Sequence, residues 1–274
     1  MKQRNKLMDF RPVFVEAKTI DDCWFQLLQS AYDKGRQYAK TAGSRTGMTV
    51  HAFDFVSGFI HYPHTRPLAP IMPEGIPPVT TDDKIESYFV NYLMDSNLEK
   101  NEHYKYSTWI TGGVGKNEKV SCEINQLDWI INHFKSNGYG NNHCYIMVGN
   151  PTTSYEYDTP YMECKKCSKK FKFEKSKKCP DCGNNLEINE LLRPTTPCLR
   201  ALDFRIVDGY LLTNVVYRAW DIFAFPENIG GFTLLNEYIS EQLDNVEAGP
   251  ISFSCKSLHC PEDMFDILKL RIRK

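Results

Sequence analysis

The sequence predicts an α/β or α+β protein: one large mixed domain that carries a small inserted unit. Three observations predict it. Segments of helical period alternate with segments of strand character along the 274 residues. Two apolar runs, "ALDFRIV" and "YLLTNVVY", flank Asp208-Gly209, the chemistry of a tight two-residue hairpin. Residues 160–186 break the pattern with little apolar content, eight lysines and four of the ten cysteines.

The elements follow in order. Residues 19–40 read as an amphipathic helix, with Trp24, Leu27, Leu28, Ala31 and Tyr32 on one stripe behind an acidic first turn. "TAGSRTG" breaks it. "MTVHAFDFVSGFIHYP" predicts a strand pair turning at Ser57-Gly58. Residues 63–81 hold six prolines and read as a clamped loop. "DDKIESYFVNYLM" is a helix. "EINQLDWIINHFKS" is another, with Ile124, Leu127, Ile131 and Phe134 inward and "NGYGNN" ending it. "HCYIMVGNP" predicts a buried strand. After the hairpin, "NIGGFTLLNEYISEQL" is a helix burying Phe232, Leu235, Tyr238, Ile239 and Leu243. "ISFSCKSLH" reads as a last strand and "PEDMFDILKLRI" as a last helix. Repeats are absent.

With 42% hydrophobic and 24% charged residues, the chain can bury a sizeable core. A formal net charge of −1 gives no global field toward nucleic acid or membrane. There is no run of about 18 apolar residues, the length a membrane span needs. The basic start "MKQRNKLMDFRPVF" lacks the apolar run of a signal peptide. Four cysteines fall in two CxxC pairs, which in a long chain points to metal and catalysis in a reducing compartment rather than disulfides. A cytoplasmic protein is expected.

Cys164, Cys167, Cys179 and Cys182 form CxxC-x11-CxxC. Each pair lets a tight knuckle turn two sulfurs toward one point, and two knuckles complete the tetrahedron that Zn²⁺ accepts. Pro180 and Gly183 supply turn chemistry. Four thiolates leave no open coordination position, so the zinc is structural. The alternative is two redox pairs. The lysines would serve a nucleic-acid contact or solubility. Solubility is favoured, because Phe171 and Phe173 are the segment's stacking phenylalanines.

Cys198 stands apart from these. Pro197 before it cannot join a strand ladder, so the thiol sits where the sheet begins. Arg193, Arg200 and Arg218 lie near it in sequence or across the hairpin, and cations favour a thiolate. The ordinary role of such a cysteine is an inert buried one.

The surrounding series, "TTPCLRALDFRIVDGYLLTNVVYRAWDIFAFPENIGGFTLLNEYI" followed by "SLH", resembles the core of the thymidylate synthase and deoxypyrimidine hydroxymethylase family. "SRTGMTV" is similar to its phosphate loop, "YKYSTWI" to its tyrosine segment, and "EINQLDWIINHFKSNGYGNNHCYIMVGNP" to its preceding helix and strand. The likeness covers most of residues 40–265 outside the cysteine insert. It implies a thymidylate-synthase-like domain with a mixed sheet, made of residues 1–159 and 187–274, with the ribbon at 160–186. It also implies a homodimer packed through the sheet.

The resemblance further implies one-carbon transfer from 5,10-methylenetetrahydrofolate to C5 of dUMP, giving dTMP. Cys198 would add to C6 and so turn C5 into a nucleophile. Asn228 would both donate to O4 and accept from N3–H, and an asparagine here goes with uracil. Its alternative role is a helix N-cap. Arg218 and Arg45 would hold the phosphate, with surface or turn arginines as the alternative. Asp221 would meet the pterin or a water, or else pair with Arg218. His259 would reach the sugar, unless it is only a satisfied polar residue. Tyr106 would order a water, unless it is core. Glu86 would be the acid/base, unless it is a solvated helix residue.

Several positions depart from the family pattern. Asn142 and His143 stand where a paired arginine is usual, Ala219 replaces a serine, and Pro261 replaces a tyrosine. Phosphate recognition is then expected to be rebuilt, with Lys256 or Arg193 as candidates. The chain stops at "LKLRIRK" without the folate-covering tail, which keeps a dUMP, dCMP or CMP hydroxymethylase as the alternative. A non-catalytic nucleic-acid-binding paralogue using the ribbon is the second alternative.

Overall fold

A computed structural model describes residues 10–40, 47–100, 102, 104–113, 122–149, 161–172, 178–188 and 197–272. Strand β1 (Pro12–Ala17) leads into helix α1 (Ile20–Lys34), capped by the Thr19 hydroxyl, which accepts from Asp22 N–H at 3.2 Å. The helix ends at Gly35, earlier than its pattern suggested. A Cβ there would lie 2.4 Å from the Ala31 carbonyl and 2.8 Å from His51 Cβ, so glycine alone lets the chain turn back. Residues Arg36–Ala39 form strand β2 instead of more helix. Tyr32 is 52% exposed and lies off the buried stripe.

Strands β3 (Thr49–Ala52) and β4 (Phe55–Ile60) are not a hairpin turning at Ser57-Gly58. The chain turns at Phe53-Asp54, and the two strands enter different sheets. Asp54 fixes that corner by accepting from Arg36 Nε at 2.7 Å and Arg11 N–H at 2.9 Å. Gly58 lies inside β4 because the Phe253 ring occupies the space of its Cβ. The proline-rich loop is clamped as expected. Arg66 reaches both Glu237 oxygens, at 3.0 and 2.8 Å, and Asp82 accepts from Leu68 and Ala69 N–H.

Helix α2 (Asp82–Tyr88) continues as a π-helical turn over Phe89–Met94, and a second π turn spans Thr108–Gly112. Helix α3 (Gln126–Asn137) starts after the Asn125 cap, which leaves Ile124 outside it and 63% exposed rather than inward. Strand β5 (Tyr145–Met147) is an edge strand, not a buried one: Tyr145 and Met147 are each more than 40% exposed. The Gln126 side chain pairs with that edge, donating to the Met147 carbonyl at 2.9 Å and accepting from its N–H at 3.0 Å.

The hairpin forms as expected from β9 (Leu199–Val207) and β10 (Tyr210–Tyr217), with positive φ at both Asp208 and Gly209. Short β11 (Trp220–Asp221) leads to α4 (Phe225–Glu241). The expected last strand is two: β12 (Glu247–Cys255) and β13 (Leu258–Pro261) lie in different sheets, and α5 (Met264–Ile272) closes the fold.

The larger sheet runs β1-β4-β12-β10-β9-β5, with β1/β4 and β12/β10 parallel and the other pairs antiparallel. The second sheet, β11-β13-β3-β2, is also mixed. One face of the large sheet carries the core, where α4 contributes Phe225, Ile229, Phe232, Leu235 and Ile239. Buried Asn236 pins α4 to the sheet by donating to the Leu211 carbonyl and Thr213 Oγ1, both at 2.8 Å. The opposite face presents Phe14, Phe59, Val216, Tyr145 and Met147 in register across the strands. Phe14 there is 66% exposed.

Candidate active site

The insert builds its four-cysteine cluster from local hydrogen bonds. Strands β6 (Tyr161–Cys164), β7 (Lys170–Lys172) and β8 (Leu186–Ile188) form a three-stranded sheet. The two knuckles repeat one geometry. Ser168 N–H donates to Cys164 O, as Gly183 N–H does to Cys179 O; Cys164 N–H donates to Lys169 O, as Cys179 N–H does to Asn184 O. The residue four after each first cysteine, Ser168 or Gly183, has positive φ. The four sulfurs lie within 4.8 Å of one another, with Cys164–Cys182 at 3.4 Å and Cys167–Cys179 at 3.7 Å. A tetrahedron of 2.3 Å zinc–sulfur bonds sets its sulfurs about 3.8 Å apart, so the cluster fits that ion.

Cys198 is partly buried at the entry to β9. Arg218 is tied to it: its N–H donates to the Cys198 carbonyl at 2.9 Å and its Nε to the Pro197 carbonyl at 3.2 Å. On the other side, Leu199 N–H donates to the Tyr106 hydroxyl at 3.2 Å. Tyr106 sits edge-on to Tyr217 at 6.4 Å, and the Tyr217 hydroxyl reaches Asn228 Oδ1 at 3.4 Å. Tyr92 packs edge-on against Tyr106 at 5.0 Å and stacks on Tyr88 at 5.3 Å. Burial pushes all four phenols up, and a charge at Cys198 adds to each shift. The thiol is therefore ringed by hydroxyls that stay protonated. The neighbouring thiol of Cys255 is pushed up to about 12, chiefly by burial, and does not compete as a nucleophile.

Asn228 is not an N-cap. It lies in the first turn of α4, its own N–H donating to the Ala224 carbonyl. Trp220 Nε1 donates to Asn228 Oδ1 at 2.9 Å, and the indole stacks on Tyr217 at 3.9 Å. An indole nitrogen can only donate, so the amide orientation is fixed, and Nδ2 is the group left to meet a ligand. Asp221 accepts from Phe223 N–H at 3.0 Å and lies 3.6 Å from His259 Nε2. His259 is buried, and Lys40 Nζ lies 2.8 Å from the same nitrogen.

Glu86 is exposed on α2 and acts on Arg66; it does not line the cavity beside Tyr88 and Tyr92. Asn142, His143 and Lys256 are exposed as well, while Pro261 is buried in β13. Arg45 and Arg193 lie outside the described residues. A cavity of about 750 Å³ opens beside the tyrosines, lined by Tyr88, Tyr92, Lys84, Lys105, Asp95 and Glu227 among others. Its size suits a small molecule. Tyr88, Tyr92, Tyr217, Trp220, Lys40 and Glu227 were not singled out from the sequence. One signal pointed their way, the Gly230-Gly231 pair. A Cβ on Gly231 would meet the Tyr88 ring at 2.4 Å, and one on Gly230 would meet Ile85 at 2.7 Å. The glycines let α2 close on α4 and deliver Tyr88 to the site.

No protein-family model matches the chain. It is similar over 258 residues to two curated proteins named "Putative thymidylate synthase". The one from Methanosarcina barkeri is 22% identical and the one from Methanosarcina mazei 21% identical, and each match covers 93% of this chain and 92% of the relative. The relationship is a distant homology spanning nearly the whole length of both. Among the described residues no helix is long and apolar enough to cross a membrane.

Proposed function

We propose that this chain is a thymidylate-synthase-like enzyme. It adds Cys198 to C6 of a uracil nucleotide, dUMP, and transfers a one-carbon unit to C5 to give dTMP. The observation that supports this most is the line of contacts from Leu199, next to the thiol, through Tyr106 and Tyr217 to Asn228, with Arg218 tied to the thiol's own backbone. A nucleophile, a cation and a fixed amide donor are thus linked through neighbouring residues.

Each part has a task in that chemistry. Arg218 favours the thiolate and the nucleotide phosphate. As sulfur adds to C6, charge develops on O4, and Asn228 Nδ2 is oriented to donate there. The tyrosine hydroxyls order water and screen the thiolate. Asp221 and His259, with Lys40, form the polar wall toward the sugar and pterin. 5,10-Methylenetetrahydrofolate supplies the carbon when bound, and the cavity lined by Tyr88, Tyr92 and Glu227 is where it would lie. The zinc of the ribbon is structural. Two copies pack through the open sheet face that carries Phe14 and Phe59.

The test is a mass spectrum of the nucleotide after incubation with dUMP and methylenetetrahydrofolate, with dCMP and CMP in parallel. A methyl gain on dUMP with dihydrofolate formed is expected. A hydroxymethyl gain would assign the hydroxymethylase reaction instead, and no product would sink the enzymatic reading. Asn228→Asp should move preference toward the cytosine nucleotide.

A further inference from the structure

The family-like glutamate on α2 faces away from the cavity, yet addition at C6 leaves C5 in need of a group that exchanges protons. Glu227 lies next to Asn228 in the first turn of α4 and lines the cavity together with Tyr88 and Tyr92. Its Oε2 is held by the hydroxyl of buried Thr80 at 2.9 Å, which leaves Oε1 for a ligand. The Tyr88 hydroxyl is buried and makes no hydrogen bond, although its ring is wedged in place by Gly231. An orphaned donor and a half-committed carboxylate thus line one cavity. In a base bound with C6 toward Cys198 and O4 toward Asn228, C5 lies between those two contacts.

Resting on the enzymatic reading above, we propose that Glu227 is the catalytic acid/base at C5 of the pyrimidine, with Tyr88 supporting it. When the Cys198 sulfur bonds to C6, the C5–C6 π pair moves to C5 and O4. Protonated Glu227 gives its proton to C5, forming a C5–H bond and leaving a carboxylate. The original hydrogen leaves C5 from the opposite face to a solvent water, because a fixed carboxylate reaches one face of the ring. The electrons of that C–H bond re-form the double bond, and sulfur departs as thiolate. The net result is exchange of the C5 hydrogen with solvent, with no oxidant, reductant or folate required. In one-carbon transfer the same carboxylate removes the C5 proton once the new carbon is attached.

The experiment incubates the zinc-loaded full chain with dUMP in D₂O without folate and reads deuterium at C5 by mass spectrometry across pH. The wild type should exchange, and Cys198→Ser should not. Glu227→Gln should bind dUMP within about twofold of wild type yet exchange about 10²–10³-fold more slowly, with the carboxylate limb of the pH profile gone. Glu227→Asp should keep that limb at a reduced rate, and it substitutes for the glutamine variant if that one fails to fold. Exchange by Glu227→Gln within threefold of wild type, with Cys198→Ser dead, would overturn this role while leaving the enzymatic reading intact. A wild type that neither binds dUMP nor exchanges would overturn both.

Discussion

The ribbon and the cleft use cysteine sulfur in opposite ways. In the ribbon, four sulfurs converge between residues 164 and 182, and neighbouring backbone N–H groups shape each knuckle. Among the described residues, burial there is confined to the sulfurs, Leu186 and Phe171, so a metal held by the four cysteines would take the place of a core. Around Cys198 the neighbours are phenols drawn from Tyr88 to Tyr217 and set by helix packing. The lesson is about distance along the chain. A site made by local turns is fixed by spacing, whereas a site made by packing depends on everything behind it.

The largest effect expected from this contrast is at Cys198. Replacing it with serine should lower turnover by about 10⁴-fold or more with the fold intact, as removal of a catalytic nucleophile does. Steady-state rates and circular dichroism check it, and an unchanged rate would erase the distinction between the two kinds of thiol. Next, metal analysis should find one zinc per chain, and Cys179→Ser should lose it. Hydrogen exchange should then show the ribbon open, while the main domain's melting temperature moves by less than about 2 °C. A main domain that melts with the ribbon would mean the two regions are energetically joined.

Smaller effects sharpen the packing side. Gly231→Ala should destabilise the main domain by about 1–3 kcal/mol in urea titrations, because its methyl group meets the Tyr88 ring. It should also slow turnover by moving Tyr88. Alkaline pH should act in the same region. The buried phenols and Cys255 have raised values in the fold, so their contribution is complete below the unfolded values near 9–10. It falls as pH rises beyond that, by about 1.4 kcal/mol per unit for each group, until the folded value is reached. Thermal melts between pH 8 and 11 measure this slope. A flat profile would show that the tyrosine cluster is open to water.

This contrast also decides what could be read in advance. The convergence of the four cysteines, the Asp208-Gly209 turn and the α4 core face follow from spacing and period, and all formed as expected. The two sheet crossings at Phe53-Asp54 and Lys256-Ser257 did not show, because each joins apolar runs that look continuous although their strands enter different sheets. Cys198 was proposed through its setting rather than its own chemistry. Tyr106 was singled out, but Tyr88, Tyr92 and Tyr217 escaped notice because a buried tyrosine in a core and one beside a thiol have the same sequence signature. Glu227 was hidden for a related reason: its cavity exists only once α2 and α4 meet across two glycines.

The Gln126 amide at the end of the large sheet has a consequence for how copies of the protein meet. It occupies the outward donor and acceptor of Met147, where an intruding strand would otherwise dock. Growth of the sheet from molecule to molecule is obstructed at that residue. The broad face bearing Phe14 remains, and a face can be satisfied by one partner, whereas an edge invites an endless series. A single side chain on α3 thus caps one of the two edges of the large sheet.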